Sequence, residues 1–193
     1  MKDIPPVAVD LFWIPLGAGG HFVRLNGKIY EAAVSLLERR RPLDLYHSAL
    51  EVRLPEGRFA IECAWVPSTD AEKRGVVASG SVISRWAGHS RIFRYEVRCW
   101  RDGVIPDLGD AVESPQRLTE DGTTARRLLD LAPQAPTPVW GRDDLEAGEM
   151  WNSNSVVSWL LVSSGIGVQS LRMPSGGRAP GWDAGLAVAR RRV

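Results

Sequence analysis

Apolar residues along this chain change rhythm twice, and the changes mark out its elements. Residues 7–16 are nearly all apolar and bounded by prolines, which predicts a short buried strand. Gly17-Ala18-Gly19-Gly20 then reads as a turn, because the glycines lack phosphate-loop spacing and no Lys-Ser/Thr follows. Between Gly27 and Arg41, Ile29, Ala32, Ala33, Leu36 and Leu37 recur at helical spacing, which predicts an amphipathic helix stopped by Pro42. Four strands are expected next, over residues 45–54, 58–65, 75–82 and 91–100. Pro55-Glu56-Gly57 forms the turn between the first two, and residues 68–74 form a polar loop.

The second half has a different character. Residues 117–131 read as a helix with Thr119 as its N-cap, followed by a proline-punctuated connection over 133–138. A second helix starts near Asn152. Its Val156, Val157, Trp159, Leu160 and Leu161 leave little room for a solvent face, so it is expected to be central. A Gly-rich loop over 174–180 and a final strand over 185–190 complete the pattern. Antiparallel strands with helices before and after imply an α+β fold: an antiparallel sheet or half-barrel packed against a central helix, as one domain over 1–193.

Composition narrows the function classes. A net charge of +1 argues against a dedicated nucleic-acid binder, which needs a basic excess to displace counterions from phosphates. The local runs Arg39-Arg40-Arg41 and Arg190-Arg191-Arg192 read as a solvated helix end and a solvated tail. Cys63 and Cys99 form neither a disulfide framework nor a zinc signature and read as reduced thiols on strands. No segment has the apolar core of a signal peptide or the length of a membrane span, and a cytoplasmic location is the default expectation. Eight tryptophans supply core, or the wall of a ligand cleft. Three histidines without closely spaced acids make no metal site, and no cofactor is implied.

Two segments carry the candidate chemistry. His47 lies near the start of a strand, and Glu62 lies beyond the hairpin turn on the next one. A carboxylate in an apolar strand needs a partner, and an imidazole oriented by it becomes a general base. The Asn152-Ser153-Asn154-Ser155 run opens the late helix. All four are good N-caps, yet one cap needs only one of them. A helix N-terminus also offers free N–H groups and a positive dipole end to an oxyanion. Ser153 and Ser155 lie about 200° apart around a helix and cannot both face one histidine. Trp151 is a candidate wall of the cleft and Asn152 a candidate substrate contact. His21, His89, Glu149 and Asp183 have bland readings as loop, hairpin-tip and helix-dipole residues.

The order His47-Ser48-Ala49-Leu50, then Glu62, then Asn152-Ser153-Asn154-Ser155-Val156 resembles the circularly permuted papain-like (NlpC/P60-type) proteins, including the LRAT-like and YiiX-like branches. The resemblance spans about residues 43 to 161 and puts Ser153 at the position of the family's nucleophilic cysteine. It implies a papain-like fold and a hydrolase or acyltransferase acting on an amide or ester bond of a small-molecule, lipid or peptide substrate. Ser153 would be the nucleophile, His47 the base and Glu62 the residue that orients it. The departure is the serine, which does not ionise near a histidine as a cysteine does. Three readings stay open: a Ser-His-Glu enzyme, a catalytically inactive binding module on the same fold, or a serine introduced in place of a cysteine.

Overall fold

The computed structural model describes residues 6–16, 31, 34–37, 39–64, 75–105 and 107–191. It is a mixed α+β structure in which helices cover one face of an antiparallel sheet. The strands are β1 (Ala8–Pro15), β2 (Asp44–Leu54), β3 (Gly57–Ala64), β4 (Val76–Ser81), β5 (Arg94–Arg101) and β6 (Val112–Thr119). Their spatial order is β4-β5-β3-β2-β1-β6. A two-residue strand, β7 (Gly177–Arg178), adds a parallel pairing to Asp44 and Leu45 at the start of β2. The helices are α1 (Gly122–Leu131), α2 (Ser153–Ser164) and α3 (Trp182–Arg190). None of the described helices is long and apolar enough to cross a membrane.

Strand β2 is the hub, paired with β1, β3 and β7. The Leu54↔Gly57 pair closes the β2–β3 hairpin over Pro55-Glu56, as the turn residues predict. Register assigns each side chain to a face, since paired residues share a face and neighbours along a strand alternate. Leu11 and Trp13 of β1 lie opposite Leu50 and Ser48 of β2, and all four face the helices. The main core forms there with Ile61, Tyr95 and the apolar residues of α2. Every residue of α2 from Ser153 to Leu161 is buried, so the helix is central as its sequence implies. Trp13, Trp151 and Trp159 are each about 1% exposed, so these indoles are core.

The opposite face holds a smaller apolar cluster of Phe12, Ile14, Ala49, Ala60 and Ile105. It also carries charges, each answered by a partner, because an unpaired buried charge is strongly destabilising. Asp10 accepts from Arg53 and Arg117, and Glu51 accepts from Arg58. Arg98 of β5 binds Glu62 of β3 and Glu96 of its own strand, each at 2.9 Å.

Several elements differ from the sequence pattern. Residues 117–119 belong to β6, not to a helix, and α1 begins at Gly122 with Asp121 as N-cap in place of Thr119. The Asp121 carboxylate accepts from the Thr124 N–H at 2.7 Å. Strand β6 alternates half-buried and exposed positions, but Pro115 in its middle disguises it, as proline does at a sheet edge. Residues 185–190 form most of α3 in place of a strand. Ala184, Gly185, Val188 and Ala189 make one buried helical stripe, and the small Ala184, Gly185 and Ala189 suit close approach to α2. Strand β5 also starts three residues late, behind a 3₁₀ turn over Arg91–Phe93. The turn at 17–20, the loop at 68–74 and His21 lie outside the described residues. Of the helix expected between Gly27 and Arg41, residues 31 and 34–37 are described and helical.

Gly185 sets the α2–α3 distance: a Cβ there would meet the Ser155 carbonyl oxygen and the Ser158 hydroxyl, each at 2.1 Å. Gly185→Ala is expected to push the helices apart and cost about 1–3 kcal/mol, read as a lower urea midpoint. Gly109→Ala, whose Cβ would meet nothing within 4 Å, should stay within about 0.5 kcal/mol of the parent.

Candidate functional site

The mouth of α2 is densely hydrogen-bonded. Asn152 caps the helix: its Oδ1 accepts from the Asn154 N–H at 2.9 Å, and its own N–H donates to Ser155 Oγ at 3.0 Å. This reciprocal arrangement satisfies donors that the first turn of a helix otherwise leaves free. Asn152 Nδ2 also donates to the Pro180 carbonyl at 2.8 Å. Ser155 Oγ donates to the Gly181 carbonyl, and Ser158 Oγ to that of Trp182, each at 2.7 Å. These bonds fasten the start of α3 to α2.

Asn154 fastens α2 to the sheet. Its Oδ1 accepts from the Ser48 N–H at 2.8 Å and the Ser48 hydroxyl at 2.9 Å. Its Nδ2 donates to the carbonyls of Tyr46 at 3.0 Å and Pro180 at 2.9 Å. Ser153 is the exception in the run. Its hydroxyl makes no hydrogen bond to any described residue, although the residue is only 7% exposed.

The expected catalytic set is not assembled. Ser48 faces α2, so its neighbour His47 faces away, onto the side of the sheet that holds Ile14 and Ala49. Ser153 lies on the helical side, and the sheet separates the two. The physical reason is the strand's period of two. Tyr46, Ser48 and Leu50 must all point inward to build the core and meet Asn154, which leaves His47 outward. The contact expected between His47 and Ser153 is made instead by Ser48 and Asn154, one residue along on each segment.

The imidazole of His47 is pushed down to about 4 by burial, and the negative charge of Asp107 only partly opposes this. It is therefore neutral near neutral pH. Glu62 shares the His47 face, but its carboxylate is engaged by Arg98 at 2.9 Å and is not an orienter of the imidazole. Trp151 is core, with its indole beside the Tyr95 hydroxyl, and Asn152 is consumed by capping and by Pro180. Trp151 is thereby closed to solvent, whereas Asn152 is half-buried. Ser155, the alternative nucleophile, is fully buried with its hydroxyl bonded to Gly181.

Other polar candidates are structural too. Glu149 faces Arg178 at 3.5 Å, and Asp183 lies in the first turn of α3. Cys63 and Cys99 are free thiols on the inner face of adjacent strands; burial raises both, Cys99 to about 11, so neither is a ready nucleophile. No group of three or more His, Cys, Asp or Glu among the described residues could hold a metal ion. A surface depression of about 530 Å³ lies between Leu54-Pro55 and the start of α1, away from the α2 mouth. Comparisons with protein-family models, curated proteins and solved structures find no match to this chain.

The residues that sequence reasoning missed are Ser48 and Asn154. Their signal was available: Ser48, not His47, alternates in phase with the apolar Tyr46 and Leu50.

Asn154→Ala strands the Ser48 N–H and weakens the tie to Tyr46 and Pro180. It is expected to cost about 2–4 kcal/mol in urea unfolding, while Ser153→Ala stays within about 0.5 kcal/mol. His47 gives a pH signature. From pH 6.5 down to about 4 the unfolded chain takes up a proton that the folded imidazole refuses, so stability falls as pH drops through that window and levels off below it. His47→Gln should remove up to about 3 kcal/mol of that decline, seen as a shallower pH dependence of the unfolding free energy than in the parent.

Proposed function

We propose that this chain is a non-catalytic binding module on a permuted papain-like scaffold, not a working hydrolase or acyltransferase. One observation carries the reading: the His47 imidazole and the Ser153 hydroxyl lie on opposite faces of the sheet. A serine needs a base within hydrogen-bond reach at the moment of attack, because its hydroxyl does not ionise beforehand. The hydrogen bonds at the α2 mouth support the same conclusion. Asn152, Asn154 and Ser155 hold the helix, the strand and the α3 start together, and little donor capacity is left for a substrate. The scaffold part of the proposal rests on element order, with a histidine-bearing strand preceding a helix whose polar N-terminus docks against that same strand.

A second reading has one observation in its favour. The Ser153 hydroxyl has no partner among the described residues and sits at a helix N-terminus. A fluorophosphonate probe separates the two. No adduct is expected at Ser153 in the folded protein, and the parent and Ser153→Ala should be indistinguishable across a panel of ester and amide substrates. A stoichiometric adduct at Ser153, found by peptide mass spectrometry, restores the hydrolase reading.

A further inference from the structure

Strands β4 and β5 are joined by a loop over 83–92 whose ends are tied together by the Val82 N–H donating to the Phe93 carbonyl at 2.7 Å. The loop is internally bonded. Ser84 Oγ accepts from the Ala87 N–H at 3.1 Å, and the Trp86 carbonyl accepts from the His89 N–H at 3.2 Å. It also packs back on β4 so closely that a Cβ on Gly88 would lie 2.0 Å from Ser81 Oγ. The result is a braced knob.

This knob displays apolar side chains that the fold does not use. Ile83 is 62% exposed, Trp86 84% and Ile92 60%, which is half of the strongly exposed large hydrophobics among the described residues. Clustered exposure of this kind marks an interaction surface, whereas single exposed apolar residues do not. Within the segment itself the charge has one sign. Residues 75–95 contain Arg85, Arg91, Arg94 and His89 and no aspartate or glutamate. Arg85 and Arg94 are exposed and make no ion pair with any described residue. Asp144, which lines the same depression as Arg85, is engaged by Arg142 at 3.3 Å.

We propose that this knob docks on the surface of an anionic lipid bilayer. Trp86, flanked by Ile83 and Ile92, enters the boundary between headgroups and acyl chains, and Arg85 and Arg94 meet lipid phosphates. Indole rings favour that boundary, with an apolar body and a polar N–H. Each arginine near an anionic leaflet adds attraction, so the apolar and basic residues act together. Exposed apolar side chains interspersed with cations unpaired among the described residues fit a deformable, negatively charged surface better than a preformed protein groove. The attachment is peripheral and goes beyond the binding-module reading without resting on it.

Vesicle flotation of the intact chain tests this, with phosphatidylcholine alone compared with phosphatidylcholine containing one-third phosphatidylglycerol. The parent is expected to float with the anionic vesicles and not with the neutral ones. Trp86→Ala should lower the partition coefficient about tenfold, and Arg85→Glu with Arg94→Glu should abolish the preference for phosphatidylglycerol. All these positions are exposed, so thermal midpoints should match the parent and separate lost docking from lost folding. A parent that stays at the bottom of the gradient overturns the proposal, as does a Trp86→Ala variant that floats equally well. Retention on immobilised polyglutamate without flotation overturns it too and assigns the knob to an acidic protein partner. None of these outcomes depends on whether Ser153 takes up a fluorophosphonate.

Discussion

The amide of Asn154 is the contact on which the rest of the molecule turns. An asparagine side chain offers two lone pairs and two donors, and here all four are used. Its oxygen holds the backbone and hydroxyl of Ser48, and its nitrogen holds the carbonyls of Tyr46 and Pro180. The group is 3% exposed, where an unmade hydrogen bond costs most. Fully satisfied, it ties the central helix, the hub strand and the approach to α3 in a single geometry. The capping pair Asn152–Ser155 and the Ser155–Gly181 and Ser158–Trp182 bonds then carry that order onward. Gly185 completes the join by removing the side chain that would hold α3 away.

That contact also sets what the sheet can offer chemically. Once Ser48 points at α2, alternation sends His47 to the far side, where burial keeps it neutral. A base and a hydroxyl separated by a sheet have no route for the proton that acyl transfer requires. The polar richness of the α2 mouth solves the problem of burying a helix N-terminus. Four free N–H groups must be answered somewhere, and in the interior only side chains and loop carbonyls are there to answer them.

The far face solves a related problem. Asp10, Glu51, Glu62, Glu96 and Arg98 are all buried, and each acid is paired with arginine. The Arg98 guanidinium reaches two carboxylates at once, a geometry that a point-charge lysine serves less well. The apolar cluster of Phe12, Ile14 and Ala49 is too small to cover this face alone. Cross-strand ion pairs therefore share the work of joining strands β5, β3, β2, β1 and β6. The β4–β5 knob turns Ile83, Trp86 and Ile92 outward, and its own backbone bonds brace it.

The sequence by itself determined the elements whose signal is local. The runs that became β1 to β5, the Pro55-Glu56 hairpin and the start of α2 after Asn152 are read from periodicity and turn residues, because those depend on neighbours a few positions away. It misled where a local signal competed with a long-range one. Pro115 hid an edge strand, and the segment 185–190 showed its helical character only when packed on α2. Register, and with it the site, was a tertiary decision. Whether His47 or Ser48 faces inward depends on which strand face is buried against Asn154, a residue more than a hundred positions away. A one-residue phase in a strand inverts every side chain, so adjacent residues that look equally available in the sequence end on opposite sides of the protein.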